Sequence, residues 1–246
     1  IRGDAAGYRG GRTGNGDNRY GVQGESINGI GSESQAPNNS GGGGGYKVYG
    51  GRSGGGGGGS YASDGMNGQS ATNAPGGYGA SGEMGVSDLT TMLYGGGGGG
   101  GGEAYGTSQP NNGGAGGGIL IINSKNLIVS GSVTANGGAG QSSIHPDIGS
   151  GGGGAGGSIL IKTQSALLGS SISALGGPGG IADKGNAAGG AGGNGRIRLE
   201  FCDSISGTTS PAASPLKLTC FVIEQVESTP FTNIRLNIPE TFLDGR

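Results

Sequence analysis

Unbroken runs of glycine restrict most strongly what this chain can fold into. Blocks of four or more glycines occupy residues 41–45, 54–59, 95–102 and 151–154. Each glycine inside a helix costs about 1 kcal/mol of helix stability, so the blocks disfavour a helix bundle. Collagen needs glycine at every third position with abundant proline, whereas here glycine comes in blocks with only nine prolines.

Such glycine blocks can adopt two structures. One is a flexible linker, since glycine-rich segments behave as random coil. The other is polyglycine II, in which extended helices of three residues per turn pack side by side and hydrogen-bond through their backbones. Ordering glycine is entropically costly, so this packing needs many neighbouring segments at once. Several spaced blocks favour the packed form.

The overall composition excludes several functional classes. Charged residues make up 12% of the chain and its formal net charge is −2, which is unlike a highly charged disordered chain. A pI of about 5.4 argues against a nucleic-acid partner. A transmembrane helix needs about 20 consecutive apolar residues, and the apolar runs here are only a few residues long. The composition suits a scaffold better than an enzyme.

Glycine and aromatic residues together divide the chain into zones. Of the 68 glycines, 66 precede residue 201; all eight tyrosines precede residue 106, and all four phenylalanines follow residue 200. We therefore predict a polar N-terminal segment at 1–40, a Tyr/Gly-rich zone at 41–105, a glycine-rich β-repeat zone at 106–200 and a C-terminal β tail at 201–246.

The β-repeat zone repeats with a period of about 39 residues, as expected of stacked units. The tetrapeptide at 119–122 returns at 159–162 and again at 197–200, at offsets of 40 and 38. Because side chains alternate along a strand, Ile119 and Ile121 should share the face that Ile159 and Ile161 occupy in the next copy. A second β segment, 127–138, returns at 166–177, an offset of 39.

In the third copy, Ile197 and Leu199 alternate with charged residues. Arg196, Arg198 and Glu200 should then form a half-solvated face, as expected of a terminal, capping repeat. Strands this short bury a core only by stacking. The sequence therefore predicts an all-β fold of short repeated strands in a parallel β-solenoid-like arrangement, with polyglycine II-like packing and a C-terminal β extension. A meander of hairpins is the alternative.

The chain resembles large secreted glycine-rich repeat proteins. The likeness lies in the glycine blocks, the segment 130–138, the segment 60–65, and the segment 89–94 before the eight-glycine run. It is more loosely similar to the glycine-rich tip adhesins of phage tail fibres and to the glycine-rich domain of some receptor ectodomains. The resemblance covers about residues 41–200 and implies β or polyglycine II packing, an extracellular location, and an adhesive or structural role. It implies no catalytic residue.

Two cysteines, Cys202 and Cys220, lie in the tail. A disulfide between them would stabilise the fold by about 3 kcal/mol on the chain-entropy estimate. Two unrelated free thiols are the alternative. The even count indicates an oxidising compartment, so we expect the protein outside the cell or on its surface. Asn38 begins an N-glycosylation sequon, Asn38-Asn39-Ser40. The first residue, Ile1, fits a processed protein or a fragment of a longer one.

No residue pattern points to catalysis. His145 is the only histidine and lies in a loop between repeats, and neither cysteine has a nearby base in sequence. Repeated GxGxxG matches are expected by chance at this glycine content, and so is the integrin-like tripeptide Arg2-Gly3-Asp4. We predict no enzyme activity, no cofactor and no metal site. A polysaccharide-lyase-like solenoid would need clustered charged residues, and Lys162, Asp183 and Lys184 do not repeat or cluster.

Two features of the sequence suggest contacts. The tyrosines are either carbohydrate-stacking surfaces or, as we favour, the fillers of gaps between glycine segments. In the tail, Ile234, Leu236 and Ile238 alternate with polar residues and predict a strand that caps its own chain or joins a neighbouring subunit. We therefore expect a self-associating structural subunit of an extracellular filament, fibre or sheath. The alternative is a surface or tail-fibre adhesin that binds glycans or a cell surface without catalysis.

Overall fold

In the computed structural model, the residues described are 1–14, 19–48, 51–82, 84–102, 110–145, 147–169, 171–182 and 187–220. Across these ranges the chain forms strands, bridges and long extended segments, and no helix is present. The glycine blocks are the extended segments. They pack into one bundle that we call the glycine bundle.

The three longest glycine segments, 54–60, 95–102 and 149–157, lie at the centre of the glycine bundle. Along residues 54–59 the backbone N–H groups donate in three successive directions, with N···O distances of 2.8–3.0 Å. Every third N–H donates to the same neighbouring segment. The three segments supply the acceptor pairs Tyr46 and Gly43, Gln69 and Met66, and Ser150 and Gly153. This three-residue period is that of polyglycine II.

The carbonyl groups of the same segment use the remaining directions. They accept N–H groups from three further neighbours: Gly102 and Gly99, Gly77 and Ala80, Gly190 and Gly193. Segment 54–60 thus has six neighbours, and the same count holds for segments 95–102 and 149–157. Each central backbone satisfies its hydrogen-bonding groups entirely with other backbones, as a buried segment must.

Side chains have no room in this lattice. A Cβ added to Gly56, Gly99 or Gly152 would lie 2.0–2.1 Å from a neighbouring carbonyl oxygen. Real Cβ atoms do not approach so closely, so the neighbouring segment would have to move. Glycine is therefore needed at these positions for its size, quite apart from its conformational freedom.

Three parallel segments carry the chain out of one end of the glycine bundle into two β-sheets. Segments 111–118, 149–157 and 189–195 run parallel, because Gly114 and Gly117 donate to Gly152 and Ala155, and Gly153 and Gly156 donate to Gly190 and Gly193. Each leads directly into a long strand. The chain then forms a short strand and, in the first two units, returns through an antiparallel segment, 135–141 or 175–180.

The strands form two open parallel sheets. The first has the order β1-β3-β5-β7 and the second β2-β4-β6. Their bounds are β1 (Ile119–Ile128), β2 (Val133–Thr134), β3 (Ser158–Leu167), β4 (Ile172–Ser173), β5 (Arg196–Ser206), β6 (Thr209–Ser210) and β7 (Ser214–Lys217). Parallel pairing confirms the all-β prediction and differs from a meander of hairpins, while a solenoid stays a prediction.

A single apolar cluster lies between the two sheets. It contains Ile159 and Ile161 from β3, Ile197 and Leu199 from β5, and Ile172 from β4, all nearly or fully buried. β-branched and leucine side chains pack well on a pleated surface, which accounts for their repetition at these positions. The glycine bundle and this cluster are the two interiors of the fold.

The predicted pairing of the first two repeats is wrong by one residue. Ile159 lies opposite Leu120, and Ile161 opposite Ile122, an offset of 39 instead of 40. A slip of one residue exchanges the two faces of a strand. Leu120 and Ile122 therefore contribute to the apolar cluster, and Ile121 lies on the outer face, 64% exposed.

The prediction of a half-solvated outer face for the third copy is also wrong. The Arg196 guanidinium lies over the Tyr61 ring, 5.6 Å from its centroid, and donates to the Met84 carbonyl at 3.3 Å. The side chains of Arg198 and Glu200 are only 11% and 16% exposed. The segment containing Met84 covers this face, and β7 follows β5 in the sheet, so β5 is not a terminal strand.

The disulfide Cys202–Cys220 is confirmed, with the two Cα atoms 4.8 Å apart. It ties the chain beyond β7 to β5, where Leu218 also donates its N–H to the Phe201 carbonyl at 2.6 Å. Residues 221–246 lie outside the described ranges, so the predicted strand containing Ile234, Leu236 and Ile238 stays a prediction.

Substitution of a central glycine should destabilise the fold sharply. We expect Gly99→Ala to lower the free energy of unfolding by about 3 kcal/mol or more, because its Cβ would meet the Gly43 carbonyl oxygen at 2.0 Å. The matched control is Gly131→Ala, since a Cβ there meets nothing within 4 Å. The control should be neutral or slightly stabilising in urea denaturation. Equal effects of the two variants would contradict the packed lattice.

Removal of the disulfide should lower stability without abolishing the bundle. We expect the double variant Cys202→Ala/Cys220→Ala to lose about 3 kcal/mol in denaturant unfolding, because the link closes a loop of this length. The native protein treated with a reductant should lose a similar amount, and the double variant should not respond to the reductant. A reductant effect in the double variant would contradict this assignment.

Candidate interaction surfaces

The outer edge of β1 is the longest unpaired backbone edge in the described part of the chain. On one side β1 pairs with β3 along its length. On the other side, among the described residues, no backbone partner lies opposite Ile119–Ile128. Unpaired strand edges are templates for pairing with another chain.

The neighbouring short sheet differs at the same edge. Residues 1–5 lie beside β2 in parallel, with Arg2 opposite Thr134, and Gly3 donates its N–H to the Thr134 carbonyl at 2.7 Å. The edge of β2 is therefore covered by the N-terminal residues, while that of β1 has no backbone partner among the described residues.

The apolar cluster is less well covered beneath the open edge. Ile159 and Ile161 of β3 are 0% exposed, whereas the equivalent Leu120 and Ile122 of β1 are only half-buried. Ile121 on the outer face is exposed, and further along β1 Ile128 lies exposed beside Leu167. We call Leu120, Ile121, Ile122 and the outward backbone of Ile119–Ile128 the β1 edge.

A second candidate surface lies at the other end of the glycine bundle. Here Ile144 and Ile181 are 72% and 75% exposed, and they are neighbours because Ser143 donates its N–H to the Ile181 carbonyl at 3.0 Å. Arg52 pairs with Asp147 nearby, with Nε 3.6 Å from Oδ1. We call these four residues, together with Tyr20 and Tyr46, the distal surface.

The tyrosines differ in burial and in ring contacts. Tyr61 is fully buried and its hydroxyl lies 2.8 Å from the Ser158 Oγ, so it fills the space between the glycine bundle and the first sheet. Tyr20 and Tyr46 are in contact at the distal surface, with ring centroids 4.7 Å apart and the ring planes tilted by 46°. Tyr8 and Tyr94 form an edge-to-face pair at the end nearer the sheets, and Tyr78 is half-exposed. Tyr49 and Tyr105 lie outside the described residues.

His145 and Lys162 make structural contacts with neighbouring residues. The His145 Nδ1 accepts the backbone N–H of Asp147 at 3.2 Å. The backbone N–H of His145 donates to the Ser143 Oγ, as in a tight turn. Lys162 pairs with Glu200 at 2.9 Å. Asp183 and Lys184 lie outside the described residues. Within the ranges described, no three acidic, histidine or cysteine side chains gather as a metal site would require.

The sequon residue Asn38 is at a tight turn. Its Nδ2 donates to the Gly24 and Gly29 carbonyls at 3.3 and 3.0 Å. A glycan attached to that nitrogen would replace one of these hydrogen bonds. In the Arg2-Gly3-Asp4 tripeptide, the Asp4 carboxylate accepts the Thr134 hydroxyl and the Asn136 N–H, both at 2.8 Å. That carboxylate joins the N-terminal residues to the second sheet.

No family model matches this chain, and comparisons with curated proteins and with solved structures gave no match either. The resemblance to secreted glycine-rich repeat proteins therefore stays a prediction. Among the described residues, no helix has the length and apolar character needed to cross a membrane.

The sequence alone predicted neither the β1 edge nor the distal surface. The β1 edge follows from the offset of 39, which the second β segment displays but the tetrapeptide alignment at 40 concealed. The distal surface joins residues from four separate segments of the chain. Only the alternating directions of the glycine segments bring them to one end.

An ion pair between outer glycine segments gives the fold a pH dependence. Arg9 donates its Nε and its backbone N–H to the Glu25 Oε2, each at 3.0 Å. The side-chain hydrogen bond from Arg9 holds the pKa of Glu25 below its usual range. A carboxyl whose pKa is lower in the folded state stabilises the fold above its unfolded value and loses that effect as the pH falls through the folded value.

We therefore expect Glu25→Gln to be less stable than the native protein at about neutral pH and to approach it below the unfolded carboxyl value of about 4.3. Urea denaturation across that pH range measures the difference. The control is Glu33→Gln, since Glu33 makes a longer contact of 3.4 Å with Arg19 between exposed side chains. A deficit of Glu25→Gln that persists unchanged in acid would contradict this interpretation.

Proposed function

We propose that this protein is a non-catalytic structural subunit of an extracellular filament, fibre or sheath that self-associates through its β layers. The observation that carries the proposal is a repeat stacked in parallel that ends in a strand edge without a backbone partner in the described part of the chain. Stacking units of this kind bury a common core and present the same edge to the next unit. The β1 edge leaves apolar side chains half-buried, so the addition of a further strand would be favourable.

The glycine bundle supports a mechanical role. Its central segments are held by six neighbours each through backbone hydrogen bonds. Opening one segment breaks bonds in several directions, and an unmade buried hydrogen bond is costly, about 1–3 kcal/mol per group. A rigid subunit transmits load along a fibre. The disulfide favours an oxidising, extracellular location for such a fibre.

Self-association is tested with the intact chain and a variant that ends at Cys220. We expect intact protein to form regular rods in negative-stain electron microscopy and the truncated variant to remain dispersed. The matched control ends at Ile238 and keeps the predicted strand, so it should assemble like the intact chain. Monodisperse intact protein at all concentrations would contradict the structural role. Unchanged assembly of the Cys220 variant would contradict only the joining role predicted for the tail.

A second candidate function is a surface adhesin that binds glycans or a cell surface. The distal surface favours it, because a tilted tyrosine pair, two exposed isoleucines and an Arg–Asp pair lie there. Tyrosine combines an apolar ring with a hydrogen-bonding hydroxyl, and such residues stack on sugars. The glycine bundle would then act as the rigid support for this surface.

The adhesin function is tested on a glycan array. We expect Tyr46→Ala to lose at least about tenfold in glycan affinity. Tyr94→Ala is the matched control, since Tyr94 belongs to the other tyrosine pair, at the opposite end of the bundle. Equal binding by both variants, or no binding by the native protein, would contradict this function.

A further inference from the structure

We propose that, of the Asn–Gly pairs the structure describes, Asn28–Gly29 is the one that undergoes deamidation in the native protein, and that the glycine bundle protects the others. The inference concerns a covalent modification of the chain and does not depend on the proposed function. The protected asparagines are Asn67, Asn112, Asn136 and Asn194, each followed by glycine. A further pair, Asn15–Gly16, lies outside the described residues.

Deamidation joins two groups of adjacent residues. The backbone nitrogen of the glycine gives its proton to hydroxide from the solvent and attacks the side-chain carbonyl carbon of the asparagine. A C–N bond forms, the bond to the side-chain nitrogen breaks, and that nitrogen takes a proton from water and leaves as ammonia. Water then opens the cyclic succinimide at either carbonyl, which gives aspartate or isoaspartate. Glycine favours the attack because it has no side chain and is conformationally permissive.

The reaction needs both groups to be free. The glycine N–H must leave its hydrogen-bond acceptor, and the asparagine side chain must turn toward the glycine nitrogen. A hydrogen bond to either group slows the reaction, because that bond must open first. Opening inside a packed segment requires local unfolding, whereas a turn at the surface opens at little cost in free energy.

At Asn67 one neighbouring segment holds both groups. The Asn67 Oδ1 accepts the Gly79 N–H at 2.8 Å. The N–H of the following residue, Gly68, donates to the Gly77 carbonyl at 2.9 Å. Because Gly77 and Gly79 belong to the same extended segment, the side chain and the attacking nitrogen are fixed together. We call this pair of hydrogen bonds an amide clamp.

Asn112 has the same amide clamp. Its Oδ1 accepts the Thr13 N–H at 3.1 Å. The Gly113 N–H donates to the Gly11 carbonyl at 2.9 Å, so both bonds again lead to one neighbouring segment. A Cβ added to Gly113 would lie 2.0 Å from the Gly98 carbonyl oxygen. The attacking nitrogen therefore lies in a closely packed part of the glycine bundle.

In the return segment of the first repeat, a single residue holds both groups of the Asn136–Gly137 pair. The Asn136 Oδ1 accepts the Leu175 N–H at 2.7 Å. The Gly137 N–H donates to the Leu175 carbonyl at 2.8 Å. Leu175 lies at the equivalent position of the next repeat, so this amide clamp follows from the stacking of the repeats.

The amide clamp of Asn194 joins the third parallel segment to the return segment of the second repeat. The Asn194 Oδ1 accepts the Gly176 N–H at 3.3 Å. The Gly195 N–H donates to the Ala174 carbonyl at 2.7 Å. All four protected asparagines thus have the side-chain oxygen and the next N–H bonded to one adjacent part of the chain.

Asn28 has no amide clamp. It lies exposed in the turn between Ser26 and Gly29, and its side-chain amide makes no hydrogen bond within the described ranges. The Gly29 N–H donates to the Ser26 carbonyl at 2.9 Å, inside the same turn. A Cβ added to Gly29 would meet nothing within 4 Å, so there is open space around the attacking residue. Only the opening of this turn precedes the reaction.

Deamidation would change the charge and the length of the turn. Aspartate at position 28 adds a negative charge, and isoaspartate also adds a methylene group to the backbone before Gly29. The Gly29 carbonyl accepts the Ser26 N–H at 3.1 Å and the Asn38 Nδ2 at 3.0 Å, so a longer turn disturbs both bonds. In the described part of the chain, residues 26–29 form no backbone hydrogen bond with the central glycine segments. The glycine bundle should therefore persist.

The site is tested by incubating native protein and guanidinium-unfolded protein at the same mildly alkaline pH. Samples are digested with pepsin in acid, where deamidation is slow, and mass spectrometry follows the mass gain of each asparagine peptide. We expect Asn28 in the native protein to react at least about tenfold faster than Asn67, Asn112, Asn136 or Asn194. In guanidinium all five should react at similar rates, because glycine follows each of them.

Three results would overturn the inference. The first is an equal rate at Asn28 and Asn67 in the native protein, and the second is a native Asn28 that does not react. The third is a lead of Asn28 that is equally large in guanidinium, because the preference would then come from the local sequence. The control variant Asn28→Gln should lose the mass gain of its peptide.

The amide clamp is tested with Leu175→Pro, which removes the N–H that the Asn136 Oδ1 accepts but keeps the backbone carbonyl. Proline suits an extended segment of three residues per turn. The matched control is Leu175→Ala, which shortens the side chain and keeps the N–H. We expect Asn136 to react about fivefold faster in Leu175→Pro, the effect of losing one ordinary hydrogen bond, with Asn67 unchanged. An unchanged rate at Asn136, or an equal rise at Asn67, would overturn the protective role of the amide clamp.

Discussion

The fold depends on one kind of interaction: backbone hydrogen bonds made in three directions by segments without side chains. Residues 54–60, 95–102 and 149–157 each have six neighbours, to which they are joined by hydrogen bonds between peptide groups. A Cβ at Gly99 would overlap the Gly43 carbonyl oxygen. Close packing of this kind forms an interior without apolar side chains, because each buried peptide group is satisfied by another peptide group.

The glycine bundle also decides where the side-chain core forms. Parallel segments leave it at one end and enter β1, β3 and β5, so these strands are parallel. Their apolar side chains meet those of the short strands in a single cluster. The repeated units stack side by side, and β1 is the outermost strand at one end of the first sheet. No described residue pairs with its outer edge. The surface most suited to a partner is a consequence of the repeat.

The two proposed surfaces are separated by the glycine bundle. The β1 edge lies with the sheets, while the distal surface is formed by turns at the opposite end, where Tyr46, Ile144 and Asp147 meet. Turns are the positions at which side chains reappear in a glycine-rich chain. Self-association would therefore use one end of the molecule and glycan binding the other. Neither function requires a change in the packing of the glycine bundle between them.

The sequence by itself determined the all-β class and the period of about 39 residues, because these depend on local spacing. It favoured the disulfide and the packing of the glycine blocks but left free thiols and a flexible linker open, and the structure decided both. The sequence did not determine the pairing of Leu120 with Ile159, since four consecutive apolar residues fit two registers equally well. Nor did it reveal that Tyr61 and Met84 cover Arg196, or that distant turns share one end. Those contacts are decided by the directions of the packed segments, which backbone hydrogen bonds fix only when the whole bundle has formed.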